Sequence, residues 1–127
     1  MPSRAFPVVY ASDVERAARF WELLGFRRHF QLPADGVPGY VGLRSDDSAA
    51  EVAVTHAEWA MDRYGLAMGG GPRFEMYVYV ADLDDTVKKL HGADVPILRE
   101  PEDMSWGERI ATVADPDGNF VALCEQA

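Results

Sequence analysis

Glu75, Tyr77 and Tyr79 alternate along one short run, so a pleated strand would set a carboxylate and two phenols on the same face. Such a face suits a flat ligand, because aromatic stacking adds about 0.5–1.5 kcal/mol beyond area burial. It also suits a cation, held by charge and by ring quadrupoles worth about 0.5–2 kcal/mol. Alternatively, Glu75 would serve as a general base, which requires a pKa near working pH and reach to the proton removed. The plainer readings stand beside these: Tyr77, Tyr79 and Phe120 as strand aromatics, and Glu75 as an ion partner of Arg73 or Arg109. Trp59 and Trp106 fall in loop-like stretches, where an indole either stacks on a ligand or anchors the loop. Met61, Met68 and Met104 offer either an adaptable lip or gap filling. His29, His56 and His91 have no helical or strand spacing that pairs them. The single cysteine, Cys124, excludes an internal disulfide and a multi-thiolate zinc site, and reads as a small buried hydrophobe.

Holding these groups in place requires a core. The chain has 127 residues, enough for one compact domain, and its 48% hydrophobic and 26% charged residues are those of an ordinary globular protein. The formal net charge of -9 disfavours nucleic acid and anionic membrane surfaces as partners. The acid excess is uneven, with seven basic and nine acidic residues in 1–64 against five and twelve in 65–127. No apolar stretch approaches the roughly 18–20 residues of a membrane span. Residues 1–6 lack the apolar core of a signal peptide, so the expectation is a reducing, cytoplasmic setting.

The periodicity predicts strands over 6–11, 26–31, 40–44 and 51–56, with a helix after the first, capped by Ser12 with Glu15 and carrying Val14, Ala17, Ala18, Trp21 and Leu24. Residues 57–72 read as a linker with a helix-prone opening around Trp59, closing on three glycines and a proline. The order then restarts. Strands are expected over 74–80, 95–99, 108–114 and 120–125, and a helix capped by Asp82 with Asp85 carries Leu83, Val87 and Leu90. The halves superpose at an offset of 69, which points to a duplicated module.

The stretch from Phe6 to Asp13, Phe20-Trp21, Leu24-Gly25-Phe26, Trp106 to Arg109 and the turn Asp115-Pro116-Asp117-Gly118-Asn119 together resemble the glyoxalase/bleomycin resistance protein/dioxygenase superfamily, also called vicinal oxygen chelate. The resemblance covers nearly the whole chain. It implies an α+β fold of two tandem βαβββ modules, at 1–56 and 73–127 about the 57–72 linker, forming a cup-shaped mixed sheet, commonly within a homodimer. In metal-bearing members it places the four ligands at Phe6, Ala53, Glu75 and Ala122, where one carboxylate remains.

If those positions face the cup, alternation makes it aromatic and small, with Phe6, Tyr10, Ala53, Glu75, Tyr77, Tyr79, Phe120 and Ala122 turned inward and Trp59 and Trp106 near the rim. The opposite face is uniformly apolar, as helix cover demands. The resemblance therefore implies binding without metal or other cofactor: sequestration of an antibiotic or related aromatic, and at its most polar cationic, natural product, the opening motif lying closest to the bleomycin-resistance branch. Two alternatives stay open: a lyase or oxidoreductase of the same superfamily, dependent on a metal or using Glu75 as base, and an accessory domain whose cleft holds a metabolite.

Overall fold

The computed structural model describes residues 4–65 and 67–126. Residues 1–3 and 127, at the outer limits of the two expected modules, lie outside the described residues. The chain divides into two compact units, residues 1–68 and 69–127.

In the first unit the order is β1 (Val8–Ala11), α1 (Val14–Leu23), β2 (Arg27–Leu32), β3 (Tyr40–Arg44), β4 (Glu51–His56) and α2 (Ala57–Tyr64). The sheet runs β1-β4-β3-β2, with β1 parallel to β4 and the other pairs antiparallel. Helix α1 begins at Asp13, whose extended backbone and Oδ1, accepting from Arg16 N–H at 3.0 Å, satisfy one of the free amides of the first turn. The cap is thus Asp13 and not Ser12, because the carboxylate sits immediately before the first helical residue. The α1 stripe buries Val14, Ala17, Ala18 and Trp21 as expected, and Phe20 beside them. Trp21 meets Phe20 and Phe26 edge-on, at centroid distances of 5.1 and 5.8 Å. Beneath α1, the sheet face of Val9, Ala11, Val41, Leu43, Val52 and Val54 is buried.

The second unit repeats the order as β5 (Glu75–Tyr79), α3 (Leu83–Gly92), β6 (Ile97–Asp103), β7 (Glu108–Ala114) and β8 (Phe120–Gln126), in a sheet ordered β5-β8-β7-β6. Between the first and last strands of each unit the duplication holds to the residue: Val8 pairs with Ala53, and 69 positions on Tyr77 pairs with Ala122. Asp82, the counterpart of Asp13, caps α3 by accepting from Asp85 N–H at 3.0 Å. Leu83, Val87 and Leu90 bury the helix stripe against a face that includes Val121 and Leu123.

The turn at 115–119 is a buried polar knot. Asp115 Oδ1 accepts from the N–H groups of Asp117 and Asn119 at 3.0 and 2.8 Å, and its Oδ2 accepts from Asn119 Nδ2 at 3.0 Å. Asn119 Oδ1 in turn accepts from Arg73 N–H at 2.9 Å, tying the approach to β5 to the start of β8. Gly118 takes φ 82°, a conformation a Cβ disfavours.

Two further expectations change. Within the segment read as a linker, Ala57–Tyr64 forms α2, which follows β4 directly and contacts β4 and β1. Strand β6 runs from Ile97 to Asp103 rather than over 95–99, because it is an edge strand with register shifts, where Pro101 and a run of charges are tolerated.

Candidate functional site

On the first unit the sheet face opposite α1 bears Val8 and Tyr10 of β1, Tyr40 of β3 and Thr55 of β4. Helix α2 rises from the end of β4 beside it and forms one wall of a cleft of about 620 Å³. Tyr10, Leu32, Tyr40, His56, Trp59 and Tyr64 line this cleft, and its surface is mostly apolar. His56 also caps the helix: as the residue before α2 its Nδ1 accepts from Glu58 N–H at 3.2 Å, so the ring is held by the helix start. The Arg63 guanidinium lies over the rings of Trp59 and Tyr64, at 5.5 and 5.6 Å from their centroids, and orders both side chains on α2. Trp59 and Tyr64 remain about half exposed, which leaves the cleft open to solvent. Tyr10 and Trp59, expected from the sequence, meet in this cleft; Tyr40, Tyr64 and Leu32 complete it and had no signal of their own.

At the other end of the same face, Arg4 clamps Glu51 through Nε, at 3.0 Å, and through Nη2. That guanidinium holds the Glu51 carboxyl below the usual carboxylate range. It also lies 4.9 Å over the ring of Phe6. A shift in register between Arg28 and Phe30 of β2 turns His29 onto Gly42, and its Nε2 comes within 3.5 Å of Glu51. A methyl group at Gly42 would sit 3.0 Å from that nitrogen, so the glycine makes room for the ring. Spacing alone hid this pair, because the bulge changes which face His29 occupies.

On the second unit, the open face carries Glu75, Tyr77 and Tyr79 on β5, with Phe120, Ala122 and Cys124 on β8. The exposures alternate as expected, the β5 side chains at 75, 77 and 79 outward and those at 76 and 78 half-buried. Tyr77 faces Ala122 across the parallel pair, and Glu75 faces Phe120. Arg109, one suggested partner of Glu75, is engaged by Asp84 and Asp103, both at 3.1 Å. Cys124 is fully buried and burial pushes its thiol pKa up, as for an inert core side chain.

The carboxylate that the structure joins to the aromatics is Glu108, at the start of β7, which the sequence did not single out. Tyr79 O–H donates to its Oε2 at 2.5 Å and Trp106 Nε1–H to its Oε1 at 2.8 Å. The Tyr79 bond, followed by that of Trp106, holds the Glu108 carboxyl below its ordinary range, and the same bond pushes the Tyr79 phenol up to about 12. Trp106 and Glu108 are two residues apart, a separation that tells nothing until a turn places the indole over the strand end.

The metal positions implied by the resemblance do not fit a divalent transition ion. Phe6, Ala53 and Ala122 carry no donor atom, and Ala53 and Ala122 are buried within β4 and β8. Among the described residues no three His, Cys, Asp or Glu side chains converge, whereas such an ion takes three or four donors. The pair His29 and Glu51 falls short of that number, with Arg4 already on the carboxylate.

The model of the Glyoxalase/Bleomycin resistance protein/Dioxygenase superfamily matches residues 5–123. The chain is 32% identical over 121 residues to the uncharacterized protein YetH of Bacillus subtilis (strain 168), with 92% of each covered. Among solved structures it is similar to a member of this superfamily from Sphaerobacter thermophilus DSM 20745, at 28% identity and a TM-score of 0.78, covering 99% of this chain and 98% of that one. It shares the fold of TioX from Micromonospora sp. ML1, at 23% identity and a TM-score of 0.78, covering 99% and 100%. The repeated βαβββ order, its 69-residue register and the match across 5–123 agree: the chain belongs to the glyoxalase/bleomycin resistance protein/dioxygenase superfamily.

Proposed function

We propose that the protein binds and sequesters an aromatic natural product, of the antibiotic class, without metal and without turnover. The observation that carries this reading is the first unit's cleft of about 620 Å³, walled by Tyr10, Tyr40, Trp59 and Tyr64, a size within the range of small-molecule sites. Flat rings gain most from such walls, by area burial and by stacking. His56 supplies a polar edge: with Nδ1 accepting from the backbone, the neutral ring carries its proton on Nε2, a donor for a ligand oxygen or ring nitrogen. Ala53 and Ala122, at positions where metal enzymes carry ligands, favour binding over chelation.

The reading includes a homodimer, supported by exposed apolar side chains outside the cleft, at Phe30 and Val37 of the first unit. It also places the protein in the cytoplasm, in keeping with one thiol held in the core. No helix among the described residues is long and apolar enough to cross a membrane.

Thermal unfolding of chelator-treated protein against planar aromatic and bleomycin-like antibiotics, and separately against divalent metals, tests the reading. A ligand at 100 times its Kd adds about 2.7 kcal/mol, a rise of several degrees in Tm for a domain of this size. The expected result is stabilisation by an aromatic compound without metal, its mass unchanged after incubation, and loss of that stabilisation in Trp59→Ala. Stabilisation by a metal alone, or chemical conversion of the bound compound, would overturn it.

A further inference from the structure

Across the described structure, several ordered carboxylates are met by guanidinium groups. Arg4 takes Glu51, Arg28 takes Glu15 and Glu22, and Arg109 takes Asp84 and Asp103. Glu108 is different: its hydrogen-bond partners are a phenol and an indole, both neutral. Neutral donors fix a carboxylate in place and favour its ionised form, yet they leave its charge uncancelled. Arg109, the next residue of β7, faces the other way, towards Asp84 of α3. Glu75 lies on the same open face, on β5, and both carboxylates act on the Cys124 thiol between them.

The rings around this charge are left in water. Tyr79 is 56% exposed and Trp106 64%, with Tyr77, two residues along β5, 52% exposed. An ionised carboxylate held among exposed π faces is complementary to one kind of occupant, a large, weakly hydrated cation with an apolar body. A bare metal ion is not that occupant, since it requires several oxygen donors to replace its hydration shell and no three converge among the described residues.

We propose that the open face of the second unit is a binding site for an organic ammonium ion, with Glu108 as the counter-charge and the rings of Tyr79 and Trp106 as its flanks. Tyr79 and Trp106 act twice, orienting the carboxylate by hydrogen bonds and presenting ring faces to the cation. The site is built from the second unit alone. It needs no ligand in the cleft of the first, and its failure would leave that cleft's reading untouched.

Isothermal titration of the full chain with benzyltrimethylammonium, benzyl alcohol and benzoate provides the test. The cation is expected to bind at least about tenfold more tightly than either comparison compound. Added salt should weaken it while leaving benzyl alcohol unchanged. Glu108→Gln, which keeps shape and loses charge, should cost the cation about tenfold, and Tyr79→Phe, which frees the carboxylate but keeps the ring, about threefold. Asp46→Asn, which removes an exposed carboxylate already met by Arg27, should leave cation binding unaltered. Benzyl alcohol or benzoate binding as well as the cation, Glu108→Gln binding it like the unaltered protein, or Asp46→Asn costing as much as Glu108→Gln would each overturn the proposal. If circular dichroism shows Glu108→Gln unfolded, the benzoate comparison and Tyr79→Phe decide in the same directions.

Discussion

In the first unit the aromatic side chains Phe20, Trp21 and Phe26 lie between helix and sheet, and those of the open face close a cleft with the help of α2. In the second, the helix side is aliphatic, with Leu83, Val87 and Leu90, and aromatic residues stand exposed on the opposite face. Strand order, helix caps and the parallel pairing of first and last strands are the same in both, while the pairing of β7 with β8 is one residue out of step with that of β3 with β4. What differs is which face received the large rings and whether a carboxylate on the open face met arginine, as Glu51 does, or neutral donors, as Glu108 does. A duplicated scaffold thus allows two surfaces of unlike chemistry, because packing fixes only one face of each sheet and leaves the other free to diverge.

Equivalent positions measure the contrast most strongly. Trp21 and Leu90 occupy the same place in the repeat, and both are fully buried. Trp21→Ala is expected to cost about 3–5 kcal/mol and Leu90→Ala about 2–5 kcal/mol in denaturant unfolding, the larger cost falling on the aromatic layer. A smaller loss at Trp21 than at Leu90 would show that the first unit's core does not depend on its rings.

A smaller effect is expected at Gly42, which has an open-face neighbour in His29. Gly42→Ala should cost roughly 1–2 kcal/mol, since the imidazole must give way to the new methyl group. Adding His29→Ala should recover part of that loss in the same unfolding measurement. No recovery would mean that the backbone, and not the ring, sets the limit at this site.

The smallest expected effect is on the second face, and it is read from titration. Because the bond to Glu108 raises the Tyr79 phenol to about 12 from 10.0, the protonated form is favoured in the fold. Its contribution is therefore present below pH 10 and is lost as pH rises towards 12. The absorbance difference between the unaltered protein and Tyr79→Phe should titrate in that window, and Glu108→Gln should move it back towards 10. For Glu108 the sign is reversed: its lowered pKa gives a contribution lost on acidification below the ordinary carboxylate range. A phenol titrating at its ordinary value in the unaltered protein would dissolve the distinction drawn between the two sets of carboxylates.

The strands Tyr40–Arg44, Glu51–His56 and Glu108–Ala114, each set off by a turn signal at its start, were legible in the sequence to the residue. Alternation likewise sorted the two faces of β5 and β8, since one face must be apolar beneath a helix. The rest depended on contacts that no local pattern carries. His29 reaches Glu51 only because a bulge breaks the period of two. Glu108 gains its meaning from Tyr79, 29 residues earlier, while Glu75, placed beside the same tyrosine by spacing, has Phe120 as its cross-strand neighbour. The cleft required α2, whose single buried residue, Ala60, is too little apolar stripe to announce a helix docked on a sheet.

Cys124, fully buried in β8 with its ionisation opposed by burial, gives the second unit an internal clock. A reagent in solution reaches the thiol only when the side chains packed over it on that face, Met104 among them, move aside, so its rate of labelling counts openings of one half of the duplication and is silent about the other.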